Sequence, residues 1–169
     1  MKTKLIIDNQ EIEVEISEEE YKKLQSKKKT GYERVNKGDT CFYVDETNHV
    51  EKEYDDNLSW SEATYKVANY YSDLTVAKNN ARADKLMRQL RRFAVEHREK
   101  ELDWNDDTHG KWRICYEPIG AHKYLGCCAS YAVKFYGEIY FDSQETAQLA
   151  CKTFHDELIW YFTEYKDSL

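Results

Sequence analysis

Five basic side chains recur along one segment of the chain at spacings that place them on one face of a helix. The 3.6-residue periodicity of that segment predicts a helix from about residue 72 to 98, and the basic face extends over about 20 Å at 1.5 Å per residue. Arginine dominates, and its planar guanidinium suits phosphate and carboxylate recognition. The face therefore predicts a binding site for phosphates or for an acidic protein surface. The alternative is the ordinary solvated side of an amphipathic helix, partly neutralised by pairs such as Asp84 with Arg88 at i,i+4. The five residues are Lys78, Arg82, Lys85, Arg88 and Arg92.

The charge of the chain is segregated around this helix. Residues 78–100 carry eight Lys or Arg against three Asp or Glu, a net charge of +5. Residues 1–77 and 101–169 each carry −6, so the whole chain carries −7. Such segregation is typical of a surface that meets a partner. The acidic total argues against a general nucleic-acid-binding protein, which is usually basic overall.

Two large apolar residues of the last predicted helix are not explained by its apolar stripe. Leu149 and Trp160 lie three turns apart on the face away from Phe154 and Leu158. A tryptophan in that position either packs beneath another part of the chain or is an exposed anchor for a partner. Both interpretations stay open, and the second includes a homodimer as one form of partner.

Cysteine and histidine give little support for a metal site. Cys151 and His155 are four residues apart on one helix face, and Cys127 and Cys128 are adjacent. Neither pattern has the C-x2–4-C or H-x3–5-H spacing of zinc sites. Cys151 also lies on the apolar stripe, where a thiol behaves as a small hydrophobic group. We therefore expect no metal, and we expect every cysteine to be a reduced thiol. The cysteines are Cys41, Cys115, Cys127, Cys128 and Cys151.

Motifs of catalysis are missing from the sequence. It contains no G-x-S-x-G, no glycine-rich phosphate loop, no H-E-x-x-H and no D-x-D-x-D-G run. Asp103, Asp106 and Asp107 could hold a divalent cation, but a polar loop between a helix and a strand explains them better. We expect a protein that is not an enzyme and binds no cofactor. A small enzyme whose catalytic groups converge from scattered positions is the remaining alternative.

The N-terminal segment, residues 1–29, predicts a β-hairpin followed by a helix. KLIID and EIEVEI alternate apolar and polar residues on either side of a turn at Asn9 and Gln10. Ser17 with Glu20 forms a capping box that predicts a helix over EEEYKKLQSKKK.

The rest of the chain predicts two similar units, residues 30–100 and 101–169, each a β-hairpin, a further strand and a long helix. In the first unit, a loose stretch up to Ala68 is expected between the hairpin and the further strand. The segments 70–73 (YYSD) and 140–143 (YFDS) stand 70 residues apart, and each places a small polar N-cap before a helix of more than twenty residues. Asp142 with Glu145 predicts an acidic capping box. We interpret the pattern as a degenerate internal duplication. Each long helix is expected to pack on its own strands in a two-layer α+β fold.

Targeting signals are missing as well. The first residues, MKTKLIIDNQEIEVE, lack the apolar region of a signal peptide, and no run approaches the roughly 20 apolar residues of a membrane span. The sequence therefore predicts a cytoplasmic protein without membrane contact.

Several blocks of the sequence resemble an accessory-protein family of phages, prophages and mobile elements of Gram-positive gut bacteria. The blocks are GYERV at 31–35, GD and FYVD within 38–45, NNARADKLMRQLRRFAVEH at 79–97, GEIYF at 137–141 and DELIWYFTEY at 156–165. The resemblance covers about residues 30 to 166, is weakest between residues 111 and 136, and carries over no catalytic residues.

The resemblance implies an accessory protein of a mobile element, a class that includes inhibitors of host defence such as anti-CRISPR proteins. We therefore expect a protein that acts by binding a host protein or protein–nucleic-acid complex, most concretely as an inhibitor of a nucleic-acid-targeting defence system. The alternative is a nucleic-acid-associated protein that serves the element's own replication, with Arg82, Lys85, Arg88 and Arg92 on phosphates.

Overall fold

The α+β class expected from the sequence is confirmed. The structure is a computed structural model that describes residues 2–7, 10–15, 17, 19, 29–119 and 122–165. Its strands pair as three antiparallel two-stranded sheets: β1 (Lys2–Ile7) with β2 (Gln10–Glu15), β3 (Thr40–Val44) with β4 (Val50–Tyr54), and β5 (Lys111–Ile119) with β6 (His122–Ser130). The helices are α1 (Ser59–Lys66), α2 (Leu74–Glu96), α3 (Gln144–Thr153) and α4 (His155–Thr163).

The predicted N-terminal hairpin is confirmed, with a register that runs from Lys2 opposite Glu15 to Ile7 opposite Gln10. Gln10, expected in the turn, is the first residue of β2. Glu20 and most of the helix predicted after Ser17 lie outside the described residues. Among the helices that are described, none combines the length and the apolar character that crossing a bilayer requires.

The first predicted unit contains its hairpin and its long helix, with one addition. Asn48 lies in the β3–β4 turn at φ +70°, a left-handed conformation that asparagine tolerates. Phe42 and Tyr71 exchange two backbone hydrogen bonds of 2.8 and 2.9 Å, which form an isolated antiparallel bridge where the further strand was expected. The stretch expected to be loose up to Ala68 instead contains α1, so that prediction is wrong. This helix has eight residues and no side-chain cap at Leu58, so the sequence gives it only a weak local signal.

The second predicted unit repeats this strand arrangement. Trp112 and Phe141 exchange backbone hydrogen bonds of 2.9 and 2.7 Å beside β5, and both stand 70 residues after Phe42 and Tyr71, which form the equivalent bridge. The offset agrees with the one read from the sequence. The duplication itself, and the boundaries at residues 30 and 101, stay predictions.

The last helix departs from the sequence prediction in two ways. It is divided into α3 and α4 at Phe154. The Thr153 hydroxyl donates a hydrogen bond of 2.8 Å to the Leu149 carbonyl, and such back-bonding often bends helices. Asp142 is also not the cap, because the Ser143 hydroxyl accepts from the Thr146 N–H at 3.1 Å. The Asp142 carboxylate accepts instead from the backbone N–H groups that follow α2, at residues 99 and 100.

One hydrophobic cluster joins α2 to the second predicted unit. The long helix contacts β3 and β4 as expected, but its buried leucines also pack against β5, α3 and α4. Each long helix therefore contacts its own strands as expected, since α3 also contacts β5 and β6. In addition, α2 is shared between both predicted units. The cluster contains Leu86, Leu90, Phe93, Ala94, Ile114, Phe141, Ala147, Ala150 and Leu158.

Candidate functional site

The basic face predicted from the sequence lies on the outer side of α2. The helix begins at Asp73, whose carboxylate accepts hydrogen bonds from the Thr75 and Val76 N–H groups. Its apolar stripe is buried against the sheets and α4, so the opposite side faces solvent, as an amphipathic helix requires. All five predicted cations are exposed there: Lys78, Arg82, Lys85, Arg88 and Arg92.

Arg82 is engaged within the chain. Its Nε donates to Glu157 Oε2 at 2.7 Å and its terminal nitrogen donates to Oε1 at 3.2 Å, which is a bidentate pair. The guanidinium carbon also lies 3.9 Å from the centroid of the Trp160 ring, within cation–π range. Arg82 therefore joins α2 to α4.

The two apolar residues predicted as interface anchors, Leu149 and Trp160, differ in their solvent exposure. Trp160 is only 7% exposed, so it packs within the chain beneath Arg82 and Tyr165. The intramolecular alternative is the one that the structure contains, and Trp160 is not an exposed anchor. Leu149 is 46% exposed, and its role in an interface stays a prediction.

Arg88 is also tied to the fold. Its guanidinium donates to the Asn48 side-chain oxygen, and the Asn48 amide nitrogen donates to the Ala81 carbonyl of α2 at 3.1 Å. Arg88 and Asn48 thereby fix the β3–β4 turn against the helix. The expected i,i+4 pair of Asp84 with Arg88 does not form within 4 Å in the described structure.

The other three cations form a row that points outward. Lys78, Lys85 and Arg92 are spaced by seven residues, which is about 10.5 Å along the axis for each step. Arg92 approaches Glu96 at 3.7 Å, but both side chains are largely exposed, and such pairs contribute little. Neither Lys78 nor Lys85 has a side-chain partner among the described residues. We call Lys78, Lys85 and Arg92 the α2 row.

A buried polar cluster lies behind the β3–β4 hairpin, and the sequence analysis did not identify it. Asp55 is fully buried. It accepts from Arg34 Nε at 3.0 Å and from the Tyr70 hydroxyl at 2.8 Å. Arg34 also donates to Glu62 on α1 at 2.6 Å. Arg34 belongs to the GYERV block, and Asp55 directly follows β4. Neither position along the chain indicates that the two side chains meet.

The charges of this cluster shift one another's pKa values. Hydrogen bonds from Arg34 hold the pKa of the Asp55 carboxyl well below its usual range, against the opposing effect of burial. Hydrogen bonds to Asp55 and Glu62 raise the pKa of Arg34. Burial, followed by the hydrogen bond to Asp55, raises the pKa of Tyr70. The cluster therefore pairs one cation, Arg34, with two carboxylates. Asp55 is buried, whereas Arg34 and Glu62 are partly exposed.

The cysteines differ from the expectation of five reduced thiols. Cys115 and Cys128 form a disulfide across β5 and β6, with their Cα atoms 6.1 Å apart. Cys127 and Cys151 are free, with their sulfurs 3.6 Å apart between β6 and α3. Burial raises the pKa of both thiols, that of Cys151 to about 12. The pairing was missed because it depends on strand register, which spacing along the chain does not reveal.

Potential metal ligands converge at a single place among residues 29–119 and 122–165. The donor atoms of Cys115, Glu117 and Cys128 all lie within 4.8 Å of one another. The carboxylates of residues 103–107, which the sequence suggested as a weak cation site, form no such group among the described residues. Asp106 instead accepts hydrogen bonds from Thr108 and contacts His109 Nδ1 at 2.6 Å, as a turn of a polar loop.

Comparison with protein-family models, with curated protein sequences and with solved structures finds no match to this chain. The resemblance to accessory proteins of mobile elements therefore stays a prediction.

Proposed function

We propose that the protein acts by binding an anionic partner surface through the α2 row. One observation carries this proposal: three of the five outward cations, Lys78, Lys85 and Arg92, are not used to hold the fold, whereas Arg82 and Arg88 are. An exposed row of cations, whose one internal pair in the described structure is the solvent-exposed contact of Arg92 with Glu96, keeps its charge available for a partner. The most concrete form of the proposal is an accessory protein of a phage or mobile element that inhibits a nucleic-acid-targeting defence system of the host.

The charge distribution supports a protein or protein–nucleic-acid partner over free nucleic acid. The flanking segments are each −6 around the +5 segment. A phosphate backbone that approached α2 would also meet this surrounding negative field. An acidic patch of limited size would contact the row alone. In a defence machine, the acidic flanks would face its basic nucleic-acid channel.

The test compares two charge reversals. Replacing Lys78, Lys85 and Arg92 with glutamate should abolish capture of the partner from lysate of a Gram-positive gut bacterium, and should abolish binding to that partner once it is purified. The melting temperature should stay within a few degrees of the wild type, because the one internal contact of these side chains among the described residues is the exposed pair of Arg92 with Glu96. Reversal of Arg82 and Arg88 is the matched control, and we expect it to lower the melting temperature.

Nuclease treatment separates the two classes of partner. Capture that survives nuclease supports direct protein contact. Unchanged binding after reversal of the α2 row would contradict the proposal.

The second candidate is a nucleic-acid-associated protein of the element itself, favoured by the regular spacing of about 10.5 Å along the α2 row. Three phosphate contacts should give a plot of log affinity against log salt with a slope of about −2 to −3. A gel-shift series in increasing salt measures this slope. Salt-sensitive binding to DNA or RNA, together with no captured host protein, would replace the first candidate with the second.

A further inference from the structure

The outer face of the β5–β6 sheet brings together two sulfurs and a carboxylate. Ile114 of β5 is buried in the core. Because side chains alternate along a strand, Cys115 and Glu117 both lie on the opposite, outer face of the sheet. On β6, Cys127 packs against the core, and the adjacent Cys128 faces the other way to meet Cys115. The three side chains Cys115, Glu117 and Cys128 are partly or fully exposed, so an ion from solvent can reach them.

A glycine makes this arrangement possible. The residue opposite Cys115 in the register is Gly126, and Cys128 is opposite Arg113. Cys115 therefore reaches Cys128 diagonally, past a position that has no side chain. A Cβ at Gly126 would collide with the ring of Tyr124, which lies over that position. The strand pairing and the glycine together bring the two cysteines within reach of each other.

The pair has two chemical states. As a disulfide, neither sulfur can bind a divalent ion as a thiolate. Two molecules of a thiol such as glutathione supply two electrons and two protons, which breaks the S–S bond, gives two protein thiols and leaves glutathione disulfide. The protein thiols lose their protons when they bind a metal. A tetrahedral zinc ion with Zn–S bonds of about 2.3 Å holds two sulfurs about 3.8 Å apart. The donor atoms of the three residues already lie within 4.8 Å of one another, so small side-chain rotations would suffice.

We propose that reduced Cys115 and Cys128, together with the Glu117 carboxylate, form a zinc site, and that formation of the disulfide abolishes zinc binding. Water fills the fourth position, since Glu117 is exposed. The proposal is independent of the partner of the α2 row, because the site lies on another element.

The second cysteine pair is a poorer site. Cys127 and Cys151 are free and 3.6 Å apart, but in the described structure no carboxylate or imidazole joins them within the same 4.8 Å limit. Burial also raises the pKa of both thiols, which disfavours the thiolate that a metal requires.

The test is a zinc titration of the full chain in competition with a chromophoric chelator, in two redox states. Protein reduced with a phosphine under argon should bind about one zinc per chain. Protein oxidised with glutathione disulfide should bind none, since each protein disulfide formed converts one glutathione disulfide to two glutathione thiols. Cobalt in place of zinc should give a thiolate-to-metal absorption band in the reduced protein alone.

Variants locate the site. Glu117→Gln should weaken zinc binding by at least about tenfold. Loss of a residue that only hydrogen-bonds to a metal ligand already lowers metal affinity by about 10–100-fold, and Glu117 is a direct ligand. Glu51→Gln, an exposed glutamate of β4, is the matched control and should leave the affinity unchanged. Cys115→Ser should abolish binding, whereas Cys127→Ser should retain it.

Three outcomes would overturn the zinc site: equal binding by oxidised protein, an unchanged affinity of Glu117→Gln, or loss of binding in Cys127→Ser with retention in Cys115→Ser. Circular dichroism of each variant tests its folding. Glu117 is exposed, so Glu117→Gln remains decisive if a cysteine variant does not fold.

Discussion

Tyr70 is the residue on which the buried polar cluster depends. It is 2% exposed, and its hydroxyl both donates to Asp55 at 2.8 Å and accepts from the Val35 N–H at 3.2 Å. Asp55 also bonds to Arg34, which extends the cluster to α1 through Glu62. A buried carboxylate destabilises a fold unless hydrogen bonds and an opposite charge compensate it. Each polar partner in this cluster is therefore part of the compensation.

Removal of that hydroxyl should destabilise the protein. We expect Tyr70→Phe to lower the free energy of unfolding by about 1–3 kcal/mol, because the Val35 N–H and one Asp55 oxygen would lose a partner in a buried place. Urea unfolding followed by circular dichroism measures the change. Tyr54→Phe is the matched control, because Tyr54 is 57% exposed. Equal stability of the two variants would contradict the role assigned to Tyr70.

At the scale of elements, α2 has separate structural and outward-facing parts. Its first turn is capped by Asp73, its buried stripe joins two sheets, and Arg82 and Arg88 fasten it to α4 and to the β3–β4 turn. The α2 row remains on the outside. A helix whose ends and flanks are fixed presents such a row with little loss of backbone freedom on binding, which favours affinity.

The cap of α2 gives a prediction at this scale. Asp73 accepts hydrogen bonds of 2.7 and 3.0 Å from the Thr75 and Val76 N–H groups. We expect Asp73→Ala to lower the free energy of unfolding by about 1 kcal/mol, the usual contribution of an N-cap. Asp84→Ala, a change of the same exposed charge in the middle of α2, is the control and should have a smaller effect. Chemical unfolding of both variants measures the two changes. An equal loss of unfolding free energy in Asp73→Ala and Asp84→Ala would exclude a capping effect.

At the scale of the whole molecule, the shared core decides how the predicted units depend on one another. The cluster crosses the boundary predicted at residues 100 and 101, since Leu86 and Phe93 of α2 pack with Ile114 and Leu158. Elements that share one core unfold together more readily than elements with separate cores. The two predicted units are therefore expected to behave as one cooperative structure.

A core truncation tests this expectation. Leu86 is 1% exposed, so Leu86→Ala should lower the free energy of unfolding by about 2–5 kcal/mol. Native-state hydrogen exchange should report a similar loss of protection at backbone amides of β3 and β5, because both depend on α2. Leu149→Ala, at a half-exposed leucine, is the matched control and should change stability little. A loss of hydrogen-exchange protection confined to β5 would indicate that the two predicted units unfold separately.

The sequence by itself determined the elements with strong local signals. Period-two alternation predicted β1 and β2, 3.6-residue periodicity predicted α2, and small polar residues before each long helix predicted N-caps. These signals depend on residues a few positions apart, so they do not require the tertiary structure. Where the local signal was weak or misleading, as for α1 or for the cap at Ser143 in place of Asp142, the prediction was wrong.

Only the tertiary structure decided which side chains are committed to the fold. Arg82 and Glu157 stand 75 residues apart, and Trp160 is buried against the same arginine. Cys115 and Cys128 meet through strand register. Such contacts depend on how distant elements pack, and local periodicity carries no information about them. The sequence defined five cations on one helix, and their packing separated two that hold the fold from the three of the α2 row.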